Sequence, residues 1–149
     1  MIEVINRQRK IKINRRIFQE FAENAGSQVS ETEDGDFTVA FVSDQKMKEL
    51  NRFFRGKDKT TDVLSFPFEP DEFFQEENNL GEIVISADQA QKQAAENNLD
   101  FETEVKQLIL HGVLHLCGYD HEIDSGEMNA RELELRDKLQ INWEVKTEK

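Results

Sequence analysis

At 149 residues, 37% hydrophobic and 34% charged, the chain is long enough to bury a core without covalent staples, and its 11 Phe argue against wholesale disorder. Its one cysteine, Cys117, excludes an internal disulfide and a four-cysteine zinc module, and no apolar run approaches the roughly 20 residues of a membrane span. The net charge of −12 disfavours nucleic acid at first sight, and no apolar leader follows the first basic residues, so one cytoplasmic domain over 1–149 is the expectation.

In chain order, Ile2 to Ile5 alternates weakly, as a strand does, and a helix is expected from about Asn14, with Ile17, Phe18, Phe21 and Ala22 at helical spacing and Gly26 as its stop. Phe37 to Val42 is a β-rich run. Ser43 or Asp44 then caps a helix carrying Met47, Leu50, Phe53 and Phe54 on one side, and Gly56 ends it. Arg55 to Asp62 reads as a polar loop. Val63 to Phe68 follows as a strand that Pro67 confines to an edge or a strand end. Residues 69–79 are acidic and turn-rich, which predicts a mobile surface loop. Gly81 to Ser86 is a short strand, and Ser86 or Asp88 caps a helix reaching about Asn98. Further helices are expected over Phe101–Cys117 and Ser125–Leu139. Strands and helices interleave without repeats, so the expected fold is α+β: an α/β-like sandwich with a single mixed sheet packed by helices.

All three histidines fall within His111-Gly112-Val113-Leu114-His115-Leu116-Cys117-Gly118-Tyr119-Asp120-His121. At i and i+4 on a helix, His111 and His115 share one face, with about 5–6 Å between their Cβ atoms. Gly118 permits the left-handed residue that reverses the chain, so that His121 can return to the same ion. Three imidazoles with an open fourth position are the geometry of a catalytic Zn²⁺ held on a central helix and the turn after it. Cys117 lies about 200° around the helix from His115, so it reads as a small apolar residue rather than a fourth ligand. The run Leu108 to Cys117 is apolar on every side, which predicts a helix covered all round and histidines satisfied by metal. The spacing is that of the metzincin proteases, but Gly112 stands where their general-base Glu would be, which argues against a peptidase.

The histidine block closely resembles the signature of the YbeY family, bacterial zinc-dependent endoribonucleases of ribosomal RNA maturation. Arg55-Gly56-Lys57-Asp58-Lys59-Thr60-Thr61-Asp62-Val63-Leu64-Ser65-Phe66-Pro67-Phe68 resembles that family's second block, and Leu80-Gly81-Glu82-Ile83-Val84-Ile85 its third. Two positions depart from the pattern: the family commonly has Pro at Thr60 and Asp at Glu82. The resemblance implies one Zn²⁺ per chain on His111, His115 and His121, with His115 and Arg55 catalytic and Arg55 clamping the scissile phosphate. It also implies single-stranded ribosomal RNA as substrate, in 16S rRNA 3′-end maturation and ribosome quality control, with the small ribosomal subunit and its factors as partners. A non-catalytic ribosome-assembly factor with a structural metal, and a metal hydrolase of another substrate class, are the alternatives.

The charge distribution fits an RNA partner. Residues 1–59 hold 12 basic and 10 acidic side chains, whereas 60–149 hold 7 and 21. The basic ones cluster at Arg7, Arg9, Lys10, Lys12, Arg15 and Arg16, and again from Lys46 to Lys59. With Lys57 and Lys59, the 7–16 group is expected to track flanking phosphates, making a basic groove on an acidic body.

Overall fold

The computed structural model describes residues 1–69, 78–120 and 122–141. Four strands, β1 (Glu3–Asn6), β2 (Asp36–Val42), β3 (Val63–Pro67) and β4 (Asn79–Ser86), form one mixed sheet in the order β1-β2-β4-β3. The β1–β2 and β2–β4 pairs are parallel, bringing Val4 opposite Val39 and Val39 opposite Ile83. β3 runs antiparallel along β4, with Leu64 opposite Val84. Pro67 therefore ends an edge strand, where its missing N–H costs no ladder bond. This is the α+β fold with a single mixed sheet that the sequence led us to expect.

Period-two alternation divides the sheet between two cores. Phe37, Val39 and Phe41 of β2, with Ile83 and Ile85 of β4, join the main core with α1 (Arg15–Gln28), α4 (Phe101–Leu116) and α5 (Glu127–Lys138). Val42 and Val84, pointing the other way, join Leu64 and Met47 in a smaller cluster beneath α2 (Asp44–Arg55). The remaining helix, α3 (Ala87–Glu96), starts directly from β4, with the Ser86 hydroxyl accepting from the Gln89 amide at 3.2 Å. A 3-10 turn at Ser30–Thr32, which the sequence did not suggest, leads into β2.

Three expectations need correction. Gly26 does not stop α1, which continues to Gln28. A Cβ on Gly26 would lie 2.4 Å from Ile2 Cδ1, so this glycine serves close packing rather than termination. Phe53 and Phe54 are not on the buried side of α2 but are 81% and 59% exposed. At the end of α2, Phe54 packs edge-on against its neighbour Phe53, with ring centroids 4.9 Å apart, and against Phe66 of β3, at 5.0 Å, rather than on the core. Finally, α4 is not covered all round. Every residue from Leu108 to Leu116 is buried except His111 and His115, which face a recess. Of the acidic segment 69–79, residues 70–77 lie outside the described residues, and β4 begins at Asn79.

Candidate active site

The site is built from α4 and the α2–β3 loop. On α4, Asp100 caps the first turn by accepting from the Thr103 amide at 2.7 Å. Three turns later His111 and His115 project from one face, their Nε2 atoms 3.1 Å apart. Between them Gly112 lies against the sheet: a Cβ there would stand 2.8 Å from Ile83 Cγ2. The metzincin glutamate is thus missing for a packing reason as well, since α4 seats on β4 where a side chain would have to go. The helix ends as expected at a left-handed Gly118, φ +101°, whose amide donates to His115 O at 3.0 Å.

Arg55 closes α2, and Gly56 at φ +68° turns the chain out of the helix. The loop that follows is pinned from both sides. Buried Asn51 donates to Lys59 O at 2.8 Å, and the Thr60 hydroxyl donates to the Asp44 carboxylate. The Asp62 carboxylate then accepts from the Val63 amide at 2.8 Å, while Asp62 O accepts from the Ser86 amide at 2.9 Å, registering the loop on β4. Arg55, Lys57, Lys59, His111 and His115 consequently line one recess of about 330 Å³, together with Asn51, Asp62, Ser65, Asp120 and Glu122. The recess joins cations from one element to imidazoles from another that begins 46 residues later in the chain. Its chemistry suits a negatively charged group approached by cations on one side and a metal or proton-carrying nitrogens on the other.

His121 lies outside the described residues. Among the described residues no three His, Cys, Asp or Glu side chains converge on one point, so two of the expected ligands are seen together and the third is not. Two Nε2 atoms at hydrogen-bonding distance fit a shared cation. Neutral imidazole is a preferred donor for first-row metals such as zinc, and both rings line the recess. Cys117 caps α4 away from that space and packs on the core, where burial and the charges of Glu31 and Glu33 push its thiol up to about 11. The 7–16 group contributes no residue lining the recess among those described. Arg15 instead donates to Val4 O at 2.8 Å, Lys10 pairs with Asp88 at 3.0 Å, and Arg7 lines a different groove on the far face of the sheet. Glu82 lines that second groove too, beside Val84 and Phe66.

Sequence reasoning missed the acidic and basic residues that surround the histidines from α5. Glu132 Oε1 accepts from His111 Nδ1 at 2.5 Å, and Arg136 Nη2 reaches Glu132 Oε2 at 3.4 Å. A signal for Glu132 was available, because it interrupts the otherwise apolar stripe Met128, Leu135 and Leu139 on the buried face of α5. Two turns before His111 and on the same face of α4, buried Glu104 stands next to Asp62, and the Gln93 amide donates to Glu104 Oε1 at 3.0 Å and Asp62 Oδ2 at 3.1 Å. Burial, reinforced by the Asp62 charge and opposed by Arg136, raises the Glu104 pKa. Farther out, Arg131 forks onto Glu31 with two bonds of 2.7 Å, and the Tyr119 hydroxyl donates to the same carboxylate at 2.8 Å. The Arg131 hydrogen bonds hold Glu31 down to about 2. This clamp ties the turn after α4 and the start of α5 to the 3-10 turn.

Comparison with known proteins agrees with the architecture. The family model described as Endoribonuclease YbeY matches residues 3–140. The Endoribonuclease YbeY of Nautilia profundicola is 49% identical over 108 residues, which cover 72% of this chain and 75% of that protein. The one from Thermodesulfovibrio yellowstonii is 40% identical over an alignment covering 91% and 93% of the two chains. Among solved structures, the solution structure of TM1509 from Thermotoga maritima superposes with a TM-score of 0.63 at 32% identity, covering 93% of this chain and 89% of that one. With the family model spanning nearly its whole length, the chain belongs to the endoribonuclease YbeY family.

Proposed function

We propose that this protein is a zinc-dependent endoribonuclease that hydrolyses single-stranded RNA during ribosomal RNA processing in the cytoplasm, working in the context of the small ribosomal subunit. The observation that carries the reading is the recess in which Arg55 faces the paired imidazoles of His111 and His115, in a chain of the endoribonuclease YbeY family. His111, His115 and His121 would hold the metal. A zinc ion so held supplies Lewis acidity toward a phosphoryl oxygen and lowers the pKa of water towards about 7.

The chain's own residues supply the rest. Negative charge grows on the phosphoryl oxygens as an oxygen nucleophile bonds to phosphorus and the P–O bond to the leaving oxygen breaks, and the Arg55 guanidinium offers a planar fork to two of them. Lys57 and Lys59, on the same loop, bind neighbouring phosphates as point charges. Asp62, Asp120 and Glu122 at the same walls repel phosphates from the wrong side, confining the backbone to the basic lip. Gly112 leaves no carboxylate at the position directly after His111, where the metzincin proteases carry their general base.

Purified protein incubated with a single-stranded RNA and with precursor small-subunit RNA, with and without the subunit, tests the reading. Cleavage should disappear with chelator and with His115→Ala. Cleavage surviving both controls, or absent from every substrate while metal stays bound, would overturn it; the second outcome would favour an assembly factor that holds RNA without cutting it.

A further inference from the structure

The bond between α4 and α5 at the histidines has a direction. A carboxylate only accepts, so the 2.5 Å contact from His111 Nδ1 to Glu132 Oε1 requires the imidazole proton on Nδ1. That makes Nε2 of His111 the nitrogen with the lone pair, and it lies 3.1 Å from His115 Nε2 beside the recess. Glu132 is itself fixed. It is 9% exposed, it belongs to the buried stripe of α5 with Met128 and Leu135, and Arg136 one turn on reaches its second oxygen at 3.4 Å. A buried carboxylate needs partners, and here the two partners are an imidazole N–H and a guanidinium.

We propose that Glu132 is a positioning residue for the metal centre, selecting the Nδ1–H tautomer of His111 and fixing the plane of its ring, with Arg136 orienting the carboxylate. The inference rests on the reading of His111 as a ligand. Carboxylates bonded to the distal nitrogen of a ligating histidine raise its basicity and hold its orientation, and their loss commonly weakens metal binding about 10–100-fold.

Zn²⁺ affinity measured by chelator competition, with nitrogen-15 NMR of the histidine rings in metal-free protein, tests this in Glu132→Ala, Glu132→Gln and the exposed-acid control Glu134→Gln. Wild type and the control should show His111 as the Nδ1–H tautomer. Glu132→Ala should lose that preference and bind Zn²⁺ about 10–100-fold more weakly. Glu132→Gln keeps an acceptor oxygen and a similar shape, so it should fold normally, preserve the tautomer and recover part of the affinity. An unchanged tautomer in Glu132→Ala with affinity within twofold of wild type overturns the proposal while leaving the metal reading intact. Failure of the wild type to bind Zn²⁺ overturns both.

Discussion

Gly112 rests on Ile83 so closely that a Cβ at that position would meet three side-chain carbons of Ile83 at 2.8–2.9 Å. The contact sets how near α4 approaches β4, and therefore how far His111 and His115 stand from the sheet. Both partners are buried, and Ile83 is 0% exposed, so neither has open space to retreat into. Gly112→Ala should cost about 1–3 kcal/mol as an overpacked core does, despite the better helix propensity of Ala. Urea unfolding measures this. Gly112→Glu should fold poorly and gain no peptidase activity.

Arg55→Ala should lower RNA cleavage by about 10²–10³-fold, the usual effect of removing one donor to a developing oxyanion. Metal content and melting temperature should stay near wild type, because the Arg55 side chain is exposed at the end of α2. Arg55→Lys should recover only part of the loss, since an ammonium cannot form a two-pronged contact. Single-turnover kinetics with metal analysis on the same samples decide the matter. A fall in melting temperature or metal content would make Arg55 structural.

The Glu31–Arg131 clamp should be visible as acid sensitivity. Glu31 titrates near 2 in the folded protein against an ordinary value of 4.5, so its stabilisation is complete above about pH 4.5 and is lost as pH falls toward 2. Both side chains are about a quarter exposed, which places the effect at about 1.5–2 kcal/mol near neutrality, the lower part of the range for charged hydrogen bonds. Glu31→Gln should be destabilised by that amount at pH 7 and converge with wild type near pH 2. A difference independent of pH would mean that packing rather than charge is lost.

Glu104 runs the other way. Its pKa is raised by burial and by the Asp62 charge, with Arg136 offsetting part, so ionisation costs the folded state stability as pH rises above about 4.5. Glu104→Gln removes the charge and keeps an oxygen for the Gln93 amide. It should melt about 2–4 °C higher than wild type at pH 8, the shift about 1 kcal/mol produces in a chain of this size. That advantage should vanish by pH 4. A melting point lower than wild type at pH 8 would show that the carboxylate is needed ionised, as a partner for Arg136.

Much of this molecule was legible because its signals are local. Asn14, Ser43, Ser86 and Asp100 cap four helices through side-chain oxygens, as short-range rules require. Gly56 and Gly118 adopt the left-handed conformation at helix ends. The i, i+4 spacing brought His111 and His115 together, and the resemblance placed Arg55 among the site residues. What escaped was set by contacts remote in sequence. Gly26 looks like a stop until Ile2 packs over it, and Phe54 looks like core yet stays exposed against Phe53 and Phe66. Glu132 meets His111 only because α5 folds back along α4. The 7–16 basic group looked like an RNA track by composition, yet Arg15 and Lys10 are bonded within the fold.

The pinning of the Arg55–Asp62 segment bears on the temperature dependence of catalysis. A polar loop of eight residues would ordinarily lose conformational freedom when a polyanion docks, at a cost of about 1–2 kcal/mol for each residue newly fixed. Here Asn51, Asp44 and the β4 backbone bond to the segment before any substrate arrives. Most of that disorder is removed when the chain folds, so the segment itself has little conformational entropy left to lose when substrate docks. The ordering of this segment should accordingly add little to the temperature dependence of the Michaelis constant between 15 and 40 °C. Asn51→Ala, by freeing Lys59, should make it climb steeply with temperature while leaving the maximal rate in the cold nearly intact.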